Sequence, residues 1–364
     1  MEKNLSALGF MSGTSGDGVD TSVISSNGKD TINIKYNRFD PYPTSLSSNI
    51  HRVKENISEM QDLLKYSSDI EELEKQITDF HADIAINTLK KIDYDLIGFH
   101  GHTIYHNTDE KISKQIGLGI SLSKITNKTV VYDFRQNDIK NGGEGAPLSP
   151  IYHLALIKAL FNENKVKIPI SILNIGGIAN ITEIDKNFKI ISKDIGPGNC
   201  LIDKWIRKNS DKFFDQDGNL ANKGKTDKFI FDQYLENYYY SKINSKRSLD
   251  TNDFDISFAK GLSLENGTTT ITELTSELLS KKIGSNNIYV CGGGRKNKFL
   301  INSLKSKINN KIFNIDDLNI DGDYIESQAF AFLAIRSYLG LPTSFPSTTN
   351  CKKPSVGGTI IKNS

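Results

Sequence analysis

A strand–turn–strand unit that occurs twice in the chain is the strongest constraint on its fold. In residues 8–24 a polar, glycine-rich turn separates two apolar runs, and residues 170–182 repeat the pattern around Gly176 and Gly177. Each unit is followed by a further predicted strand, and the two units lie about 160 residues apart. This duplication predicts two related α/β domains that face each other across a cleft, each with one glycine-turned hairpin.

The composition excludes several classes of function. The 45 basic and 43 acidic residues leave a formal net charge of +2 without a dense basic block, which argues against nucleic acid or an anionic membrane as a partner. No stretch approaches the roughly 18 uninterrupted apolar residues of a membrane span, and residues 1–10 lack the apolar core of a signal peptide. Cys200, Cys291 and Cys351 are odd in number and far apart, which suits a reducing compartment. We therefore predict a cytoplasmic protein.

The first glycine turn is a candidate phosphate-binding loop. Its glycines allow positive φ and let backbone N–H groups converge on an anion, and its hydroxyl residues add donors. Its carboxylates are unusual beside a phosphate unless Mg²⁺ intervenes or one of them orients a water. A tight β-hairpin that needs glycine explains the same pattern, and the GKS or GKT ending of a Walker motif is missing. These residues are Gly13, Thr14, Ser15, Gly16, Asp17, Gly18 and Asp20.

Two carboxylates are predicted at strand ends beside glycine-rich turns, where open α/β sheets place their chemistry. Asp194 follows a short apolar strand and precedes the Gly-Pro-Gly of residues 196–198. The alternative explanation is an aspartate that caps a helix starting near Cys200. Asp133 also ends a strand, and the glycine-rich loop 141–150 that follows it suits a substrate lid or a domain junction.

Three histidines, His100, His102 and His106, follow a predicted strand at 96–99. No cysteine or acidic residue lies nearby at ligand spacing, and alternating positions on a strand end do not close a tetrahedral zinc site well. We therefore predict no metal centre here and expect polar contacts with a small substrate. His106 fits equally well as a core or surface histidine.

The C-terminal half contains a third glycine-rich turn. Residues 287–297 predict a strand, three successive glycines and a helix start. Backbone without side chains can lie flat against a nucleotide, and a helix N-terminus favours anions. Glu326 then begins a helix rich in alanine and phenylalanine, and residues 45–91 predict two or three helices from their apolar spacing.

Taken together, these motifs resemble the anhydro-N-acetylmuramic acid kinase family. Seven matching stretches occur in the order found in that family and extend over nearly the whole chain. They are residues 11–20, 100–104, 133–148, 174–182, 194–199 and 291–297, and the helix that begins at Glu326.

The resemblance implies the α/β actin-like sugar kinase fold, with a duplicated core in two domains, 1–130 and 131–364, and a central active-site cleft. We expect the C-terminal tail to be able to return to the first domain. The resemblance also implies that water opens the 1,6-anhydro ring of the murein-derived sugar and that ATP phosphorylates oxygen 6, with Mg²⁺ present. A homodimer is implied as well. The alternatives are another actin-like-fold sugar or acid kinase and an actin-like ATPase without kinase activity.

Residue roles follow from the motif matches. Asp194 is the expected general base that deprotonates the attacking water, and Glu326 is a second catalytic carboxylate. The residues expected to bind the nucleotide and its phosphates are Gly13, Thr14, Ser15, Gly16, Asp17, Gly18, Val19, Asp20, Gly176, Gly177, Asn180, Gly292, Gly293, Gly294 and Asn297. The residues expected to bind the sugar are His100, Thr103, Asp133, Arg135, Gly196, Gly198 and Asn199.

Three positions depart from the pattern of the family. Gly16 stands where a larger residue is usual, His102 replaces a glutamine, and Ile195 replaces a threonine. None of these changes removes a carboxylate. His102 affects the expected substrate contacts most, because an imidazole cannot both donate and accept in the way that an amide does.

Overall fold

The computed structural model describes residues 4–13, 15–241, 243, 248–284 and 286–363, which form two compact units. Unit 1 comprises Met1–Lys167 and Tyr324–Ser364, and unit 2 comprises Ile168–Asp323. Packing therefore groups residues 131–167 and the C-terminal segment with the N-terminal part of the chain. The division into 1–130 and 131–364 stays a prediction about domains. Thr14, one of the predicted site residues, lies outside the described residues.

Strands and helices alternate along both units. The strands are β1 (Leu5–Ser12), β2 (Gly18–Ser26), β3 (Ile32–Pro41), β4 (Leu96–Asn107), β5 (Ile112–Ile116), β6 (Thr129–Tyr132), β7 (Ile170–Ile175), β8 (Ile178–Ile184), β9 (Ile190–Pro197), β10 (Asn287–Cys291), β11 (Ile312–Asn314) and β12 (Thr359–Ile361). The helices are α1 (Thr44–Glu55), α2 (Met60–Lys65), α3 (Ser67–Leu89), α4 (Gly119–Thr126), α5 (Gln136–Lys140), α6 (Pro150–Asn162), α7 (Cys200–Asn209), α8 (Lys228–Tyr240), α9 (Leu264–Ser280), α10 (Lys298–Lys307), α11 (Ile325–Tyr338) and α12 (Pro346–Thr349).

The two units contain sheets of the same design. In unit 1 the strand order is β3-β2-β1-β4-β6-β12, and β5 pairs with β4 outside this path. The first three strands of the chain are antiparallel, whereas β1, β4 and β6 are parallel. In unit 2 the order is β9-β8-β7-β10-β11, again with three antiparallel strands followed by parallel pairing of β7, β10 and β11. The α/β class and the duplicated core are thus confirmed.

Apolar faces of the helices build separate cores in the two units. In unit 1, α1 and α3 cover the sheet through residues at helical spacing, of which Ile70, Leu73 and Ile77 of α3 are buried. In unit 2 one core cluster forms around Trp205 and α9, and another lies between the sheet and α10. Among the described residues, no helix is both long and apolar enough to cross a membrane.

Helix α11 lies unusually close to the sheet of unit 1. Gly9 of β1 and Gly98 of β4 are paired partners in the sheet, and α11 crosses them directly. A Cβ at Gly9 would lie 2.1 Å from the carbonyl oxygen of Ser327, and a Cβ at Gly98 would lie 2.3 Å from that of Phe330. Only glycine permits this approach, which fixes the position of the first turn of α11.

One strand is longer than the sequence predicts. The apolar run 96–99 indicates a short strand, but β4 continues to Asn107 because β5 pairs with its second half. His100, His102 and His106 therefore lie within a strand and not beyond its end. A β-bulge interrupts the pairing with β1 between Phe10 and Ser12. The partner strand β5 has three consecutive polar residues between two isoleucines, so its sequence lacks the apolar alternation that predicts a strand.

The close packing of α11 predicts that Gly9→Ala lowers the free energy of unfolding by about 3 kcal/mol, the upper end of the usual range for overpacking. The added methyl group would meet main-chain atoms, which cannot move aside as a flexible side chain can. Chemical denaturation of purified protein measures the effect. Gly13→Ala is the matched control, because the only atom that its Cβ would meet is the Ser15 Oγ, at 3.7 Å. Equal stability of the two variants would contradict the packing argument.

Candidate active site

The glycine loop between β1 and β2, described at Gly13 and residues 15–18, is held by residues outside it. The Ser47 hydroxyl donates to the carbonyl oxygen of Gly16 at 2.7 Å. The N–H of Tyr42 donates to the carbonyl oxygen of Asp17 at 3.0 Å. Gly16 has a left-handed φ of +63°, which accounts for glycine at a position where the resembled family has a larger residue.

The predicted phosphate-binding residues of this loop differ in their surroundings. The main chain at Gly13 is open to a ligand, because a Cβ there would meet only the Ser15 hydroxyl. Gly18 is required by packing, since its Cβ would lie 2.5 Å from the carbonyl oxygen of Asp40 on β3. Val19 is fully buried in the core of unit 1, so only its main chain remains for ligand contact.

Hydroxyl and carboxylate side chains lie beside the open main chain of this loop. The exposed side chains of Ser15 and Asp17 are joined by a hydrogen bond of 2.6 Å, in which the hydroxyl donates. Asp20 is partly buried on β2, opposite Met11 of β1. The loop thus places oxygen donors of the kind that Mg²⁺ prefers beside a glycine main chain suited to phosphate.

His100 and Arg135, two predicted sugar-binding residues, contact each other. The Nε and Nη2 groups of Arg135 lie 3.2 and 3.0 Å from the Nε2 atom of His100, and Nη1 donates to the carbonyl oxygen of Gly145 at 2.7 Å. Burial and the positive charge of Arg135 hold the pKa of His100 well below its usual value. A neutral imidazole therefore accepts from the guanidinium group and orients it.

Asp133 and Thr103 lie near this pair on neighbouring strands. Asp133 follows β6 directly and has a left-handed φ of +56°, which is uncommon for a residue other than glycine. Burial raises the pKa of the Asp133 carboxyl group above its usual value. The Thr103 hydroxyl accepts a hydrogen bond from the side chain of Gln115 at 3.2 Å, so β5 holds it in place. A strained, partly buried carboxylate is more typical of a functional site than of a structural one.

Asp138 is an anchor that our sequence analysis missed. It is 1% exposed, and its carboxylate accepts from the Gly145 N–H at 2.8 Å and from the Thr349 hydroxyl at 2.6 Å. These bonds fasten the glycine-rich loop that follows α5 to the C-terminal segment of unit 1. The loop carbonyl that binds Arg135 is thereby fixed as well. The spacing Asp-Phe-Arg-x-x-Asp was the available signal, but the partner Thr349 is distant in sequence.

Glu326, the predicted second catalytic carboxylate, lies in the first turn of α11 and belongs to unit 1. Its neighbour Ser327 is fully buried, and the Ser327 hydroxyl lies 2.7 Å from that of Ser22 on β2. This contact and the close approach of α11 to the sheet fix the helix start. The carboxylate of Glu326 therefore projects from a rigid turn.

Asp194, the predicted general base, lies in β9 of unit 2. It is 7% exposed, and its Oδ2 atom accepts a hydrogen bond from the N–H of Leu249 at 2.8 Å. The helix-capping explanation is wrong, because α7 begins at Cys200 and its N-cap residue is Asn199. A main-chain donor stabilises the ionised carboxylate and fixes its orientation.

The glycine turn of unit 2 binds the segment that follows Asp194. The N–H groups of Gly198 and Cys200 donate to the carbonyl oxygen of Gly177 at 2.9 and 3.1 Å, and that of Asn199 donates to Gly176 at 2.8 Å. The structure therefore brings together the two predicted motifs. A Cβ at Gly176 would meet only one atom, at 3.6 Å, so the outer side of the turn is open.

Asn180 lies between two polar residues in the sheet of unit 2. Its ladder partners are Asn174 on β7 and Asp194 on β9, so all three side chains share one face. The Oδ1 atom of Asn180 is buried and has no hydrogen-bond partner among the described residues. Asn174 in turn lies against Gly292, whose Cβ would be 2.3 Å from its Oδ1 atom. A polar row thus connects the third glycine turn to Asp194.

The third glycine turn, residues 292–294, follows β10. Gly292 has a left-handed φ of +76°, and its N–H donates to the carbonyl oxygen of Gly322 at 3.0 Å. No described atom would lie within 4 Å of a Cβ at Gly293, so its main chain is open. The Asn297 side chain caps α10 by accepting from the N–H of Leu300 at 3.0 Å, which gives this predicted nucleotide residue a structural role.

Gly196, a predicted sugar-binding residue, lies in β9 with its Cα facing Leu279 of α9.

Arg295 fastens this turn to the loop before α11. Its side chain is 3% exposed, donates to the carbonyl oxygen of Gly292 at 3.2 Å, and pairs with three carboxylates. These carboxylates are Asp316, Asp321 and Asp323, with nitrogen–oxygen distances of 3.0, 3.3 and 2.5 Å. A buried guanidinium with several acceptors is well compensated, so the turn is held rigidly.

Comparisons with known proteins agree with these motifs. A model of the anhydro-N-acetylmuramic acid kinase family matches residues 5–363. An anhydro-N-acetylmuramic acid kinase of Pelagibacter ubique is 47% identical, with 100% of both chains covered, and one of Agrobacterium fabrum is 35% identical, with 98% of both covered. Among solved structures, the activator of 2-hydroxyisocaproyl-CoA dehydratase from Clostridium difficile with bound ADPNP has a TM-score of 0.41 and 12% identity, covering 91% of this chain and 94% of its own.

We predict that Asp133→Asn is more stable than the wild type at neutral pH. Because the folded pKa of Asp133 is raised, the favourable neutral form is present below the ordinary carboxyl pKa and is lost as pH rises through the raised value. Asparagine stays neutral and tolerates a left-handed φ. The difference in unfolding free energy between variant and wild type should therefore grow as pH rises from about 4 towards 7.

Denaturation curves across this pH range measure the difference. Asp83→Asn is the control, because the Asp83 side chain is exposed in the same unit and solvent screens its charge. A constant difference between Asp133→Asn and the wild type at all pH values would contradict the prediction.

Proposed function

The chain belongs to the anhydro-N-acetylmuramic acid kinase family, and we propose that it opens the 1,6-anhydro ring of 1,6-anhydro-N-acetylmuramic acid with water and phosphorylates oxygen 6. The products are N-acetylmuramic acid 6-phosphate and ADP. The observation that carries this proposal is the buried carboxylate of Asp194, oriented by the N–H of Leu249. A fixed carboxylate beside a glycine turn is what activation of a water molecule requires.

Asp194 acts as the general base. It takes a proton from water while the water oxygen bonds to the anomeric carbon, and the bond from that carbon to oxygen 6 breaks. Oxygen 6 then attacks the γ-phosphorus, and ADP leaves. Because a main-chain donor holds the Asp194 carboxylate, its orientation is fixed before the reaction, which limits the side-chain freedom lost when it meets the water.

Open main chain at glycine positions supports nucleotide binding. No described atom lies within 4 Å of a Cβ placed at Gly293, and a Cβ at Gly13 or Gly176 meets one described atom each, at 3.7 and 3.6 Å. As a kinase substrate ATP supplies the phosphoryl group, and Mg²⁺ offsets the charge on it during transfer. We assign Asp17 and Asp20 to the Mg²⁺ side of the site, because carboxylate oxygens are its preferred protein ligands.

The sugar side of the site consists of residues from unit 1. Arg135, oriented by His100 and by a loop carbonyl, suits the carboxylate of the muramic acid. Asp133 and Thr103 offer acceptor and donor groups to sugar hydroxyls. Glu326 assists ring opening as the second carboxylate. We also assign Gly198 and Asn199 to sugar binding from the family motif, and hydrogen bonds to the Gly176–Gly177 turn hold their main chain.

We further propose that the protein is a cytoplasmic homodimer. Cys200, Cys291 and Cys351 are all buried and form no disulfide bond among the described residues, which supports a reducing compartment. The homodimer follows from the family resemblance, and sedimentation equilibrium of the purified protein tests it directly.

Asp194→Asn is expected to lower kcat by about 10²- to 10⁴-fold, because asparagine cannot accept the proton of the attacking water. Binding of ATP should change little, since the substitution keeps the size of the side chain. ADP release and sugar 6-phosphate are followed with ATP, Mg²⁺ and 1,6-anhydro-N-acetylmuramic acid, and ATP affinity is measured by calorimetry.

Asp215→Asn is the matched control for this test. Asp215 is also a buried carboxylate of unit 2 that accepts main-chain hydrogen bonds, from Leu220 at 2.7 Å and Ala221 at 3.0 Å. The kcat of Asp215→Asn shows how much activity is lost when a buried, hydrogen-bonded carboxylate is removed for structural reasons alone. A kcat for Asp194→Asn equal to that of the control would rule out Asp194 as the base, and a wild type that leaves this sugar unchanged would refute the substrate assignment.

A further inference from the structure

We propose that a hydrogen-bonded network of Ser12, Tyr42 and His102 holds the described part of the glycine loop between β1 and β2, Gly13 and residues 15–18, in its ATP-binding conformation. Tyr42 and His102 are positioning residues in this account, and they act on the nucleotide only through the loop. The inference rests on the proposed function, in which this loop binds ATP. It concerns three side chains that lie outside the set of expected site residues.

The network is built at the point where β1 ends and the loop begins. Ser12 is the last residue of β1 and is 3% exposed. Its Oγ atom lies 2.8 Å from the Nδ1 atom of His102 on β4 and accepts a hydrogen bond of 2.9 Å from the Tyr42 hydroxyl. Two segments that are distant in sequence thus converge on one side-chain oxygen.

Tyr42 binds both ends of the loop. Its hydroxyl reaches Ser12 before the loop, and its main-chain N–H donates to the carbonyl oxygen of Asp17 near the end of the loop, at 3.0 Å. The Tyr42 side chain is 6% exposed and packs against the ring of Phe80 at a centroid distance of 5.0 Å. A residue fixed in the core therefore sets the distance across the loop.

His102 fixes the same serine from the side of the sheet. It is fully buried, and it pairs with Ser12 directly after a β-bulge that interrupts the β1–β4 ladder. The register of the ladder shifts at the bulge and resumes at the Ser12–His102 pair, where the side-chain bond adds to the strand pairing in setting the position of Ser12. Strand pairing and one imidazole therefore both fix the loop entrance.

The histidine is uncharged in this environment. Burial lowers the pKa of His102 to about 3, and the positive charge of Lys54 acts in the same direction. The Nε2 atom has no hydrogen-bond partner among the described residues, so the ring makes a single side-chain hydrogen bond, through Nδ1. A single bond to a hydroxyl is within the capacity of either an imidazole or an amide. This explains how histidine replaces the glutamine of the resembled motif.

The experiment compares four variants with the wild type: His102→Gln, His102→Met, Tyr42→Phe and, as the matched control, His81→Met. His81 is equally buried, its Nδ1 atom bonds the carbonyl oxygen of Ile77 at 2.7 Å, and its Nε2 atom also lacks a described partner. It makes no hydrogen bond to Ser12 or to the loop among the described contacts. Calorimetry gives the Kd for ATP, steady-state kinetics gives KM and kcat, and thermal denaturation reports folding.

We expect His102→Met and Tyr42→Phe each to weaken ATP binding about fivefold, the effect of one lost hydrogen bond. The KM for ATP should rise by the same factor, whereas kcat at saturating ATP changes less than about twofold. His102→Gln should restore the wild-type Kd, and His81→Met should leave it unchanged even where its Tm falls as far as that of His102→Met.

Two results would overturn the inference while leaving the proposed function intact. One is a Kd for His102→Met and Tyr42→Phe equal to that of the wild type. The other is a rise in Kd for His81→Met as large as that for His102→Met, which would indicate a general loss of packing. A wild type that phosphorylates no sugar and binds no ATP would instead refute the proposed function and, with it, the role of the loop.

Discussion

Hydrogen bonds to the main chain of the glycine turns hold several of the predicted site residues in place. In unit 1 the carbonyl groups of Gly16 and Asp17 accept from Ser47 and Tyr42. In unit 2 the carbonyl groups of Gly176 and Gly177 accept from the three N–H groups that start with Gly198. A glycine turn alone would be flexible, so these bonds from other segments restrict the turn to one main-chain conformation. The chemistry that we assign to the neighbouring carboxylates depends on that fixed conformation.

Some of the site residues have features that lower the stability of the folded protein. Asp133 is partly buried with a left-handed backbone and a raised pKa, and His100 is fully enclosed beside a guanidinium group. Each of these features is unfavourable for folding in isolation. They are tolerated because the surrounding sheet and the Asp138 anchor fix the geometry around them. Both residues lie in the part of unit 1 that we assign to the sugar.

The sequence was sufficient to predict the duplicated α/β core, because apolar runs and glycine turns are local signals that recur in both units. The proximity of the Gly176–Gly177 turn to the Asp194 motif was not predicted and follows from the antiparallel pairing of β8 with β9. Contacts between distant segments were beyond its reach. Asp138 bonds Thr349 across 211 positions, and Ser12 bonds His102 across 90. No periodicity or spacing reports such pairs.

Two predicted nucleotide residues illustrate a second limit. Val19 lies in the core and Asn297 caps a helix, roles that a motif match cannot distinguish from ligand contact. Their assignment to the site stays a prediction. His102 illustrates the same limit. Its presence in place of a glutamine suggested altered substrate contacts, whereas in the structure it is buried and hydrogen-bonded to Ser12.

The central claim is that water attacks the anomeric carbon and that oxygen 6 of the sugar receives the phosphoryl group. The most direct measurement runs the reaction with ATP, Mg²⁺ and the anhydro sugar in water labelled with oxygen-18, followed by prompt mass spectrometry and phosphorus NMR. Our account predicts one labelled oxygen on the anomeric carbon of the product and none in its phosphate group. Label in free inorganic phosphate, with the anhydro sugar unchanged, would contradict it and would identify an ATPase that transfers nothing to the sugar.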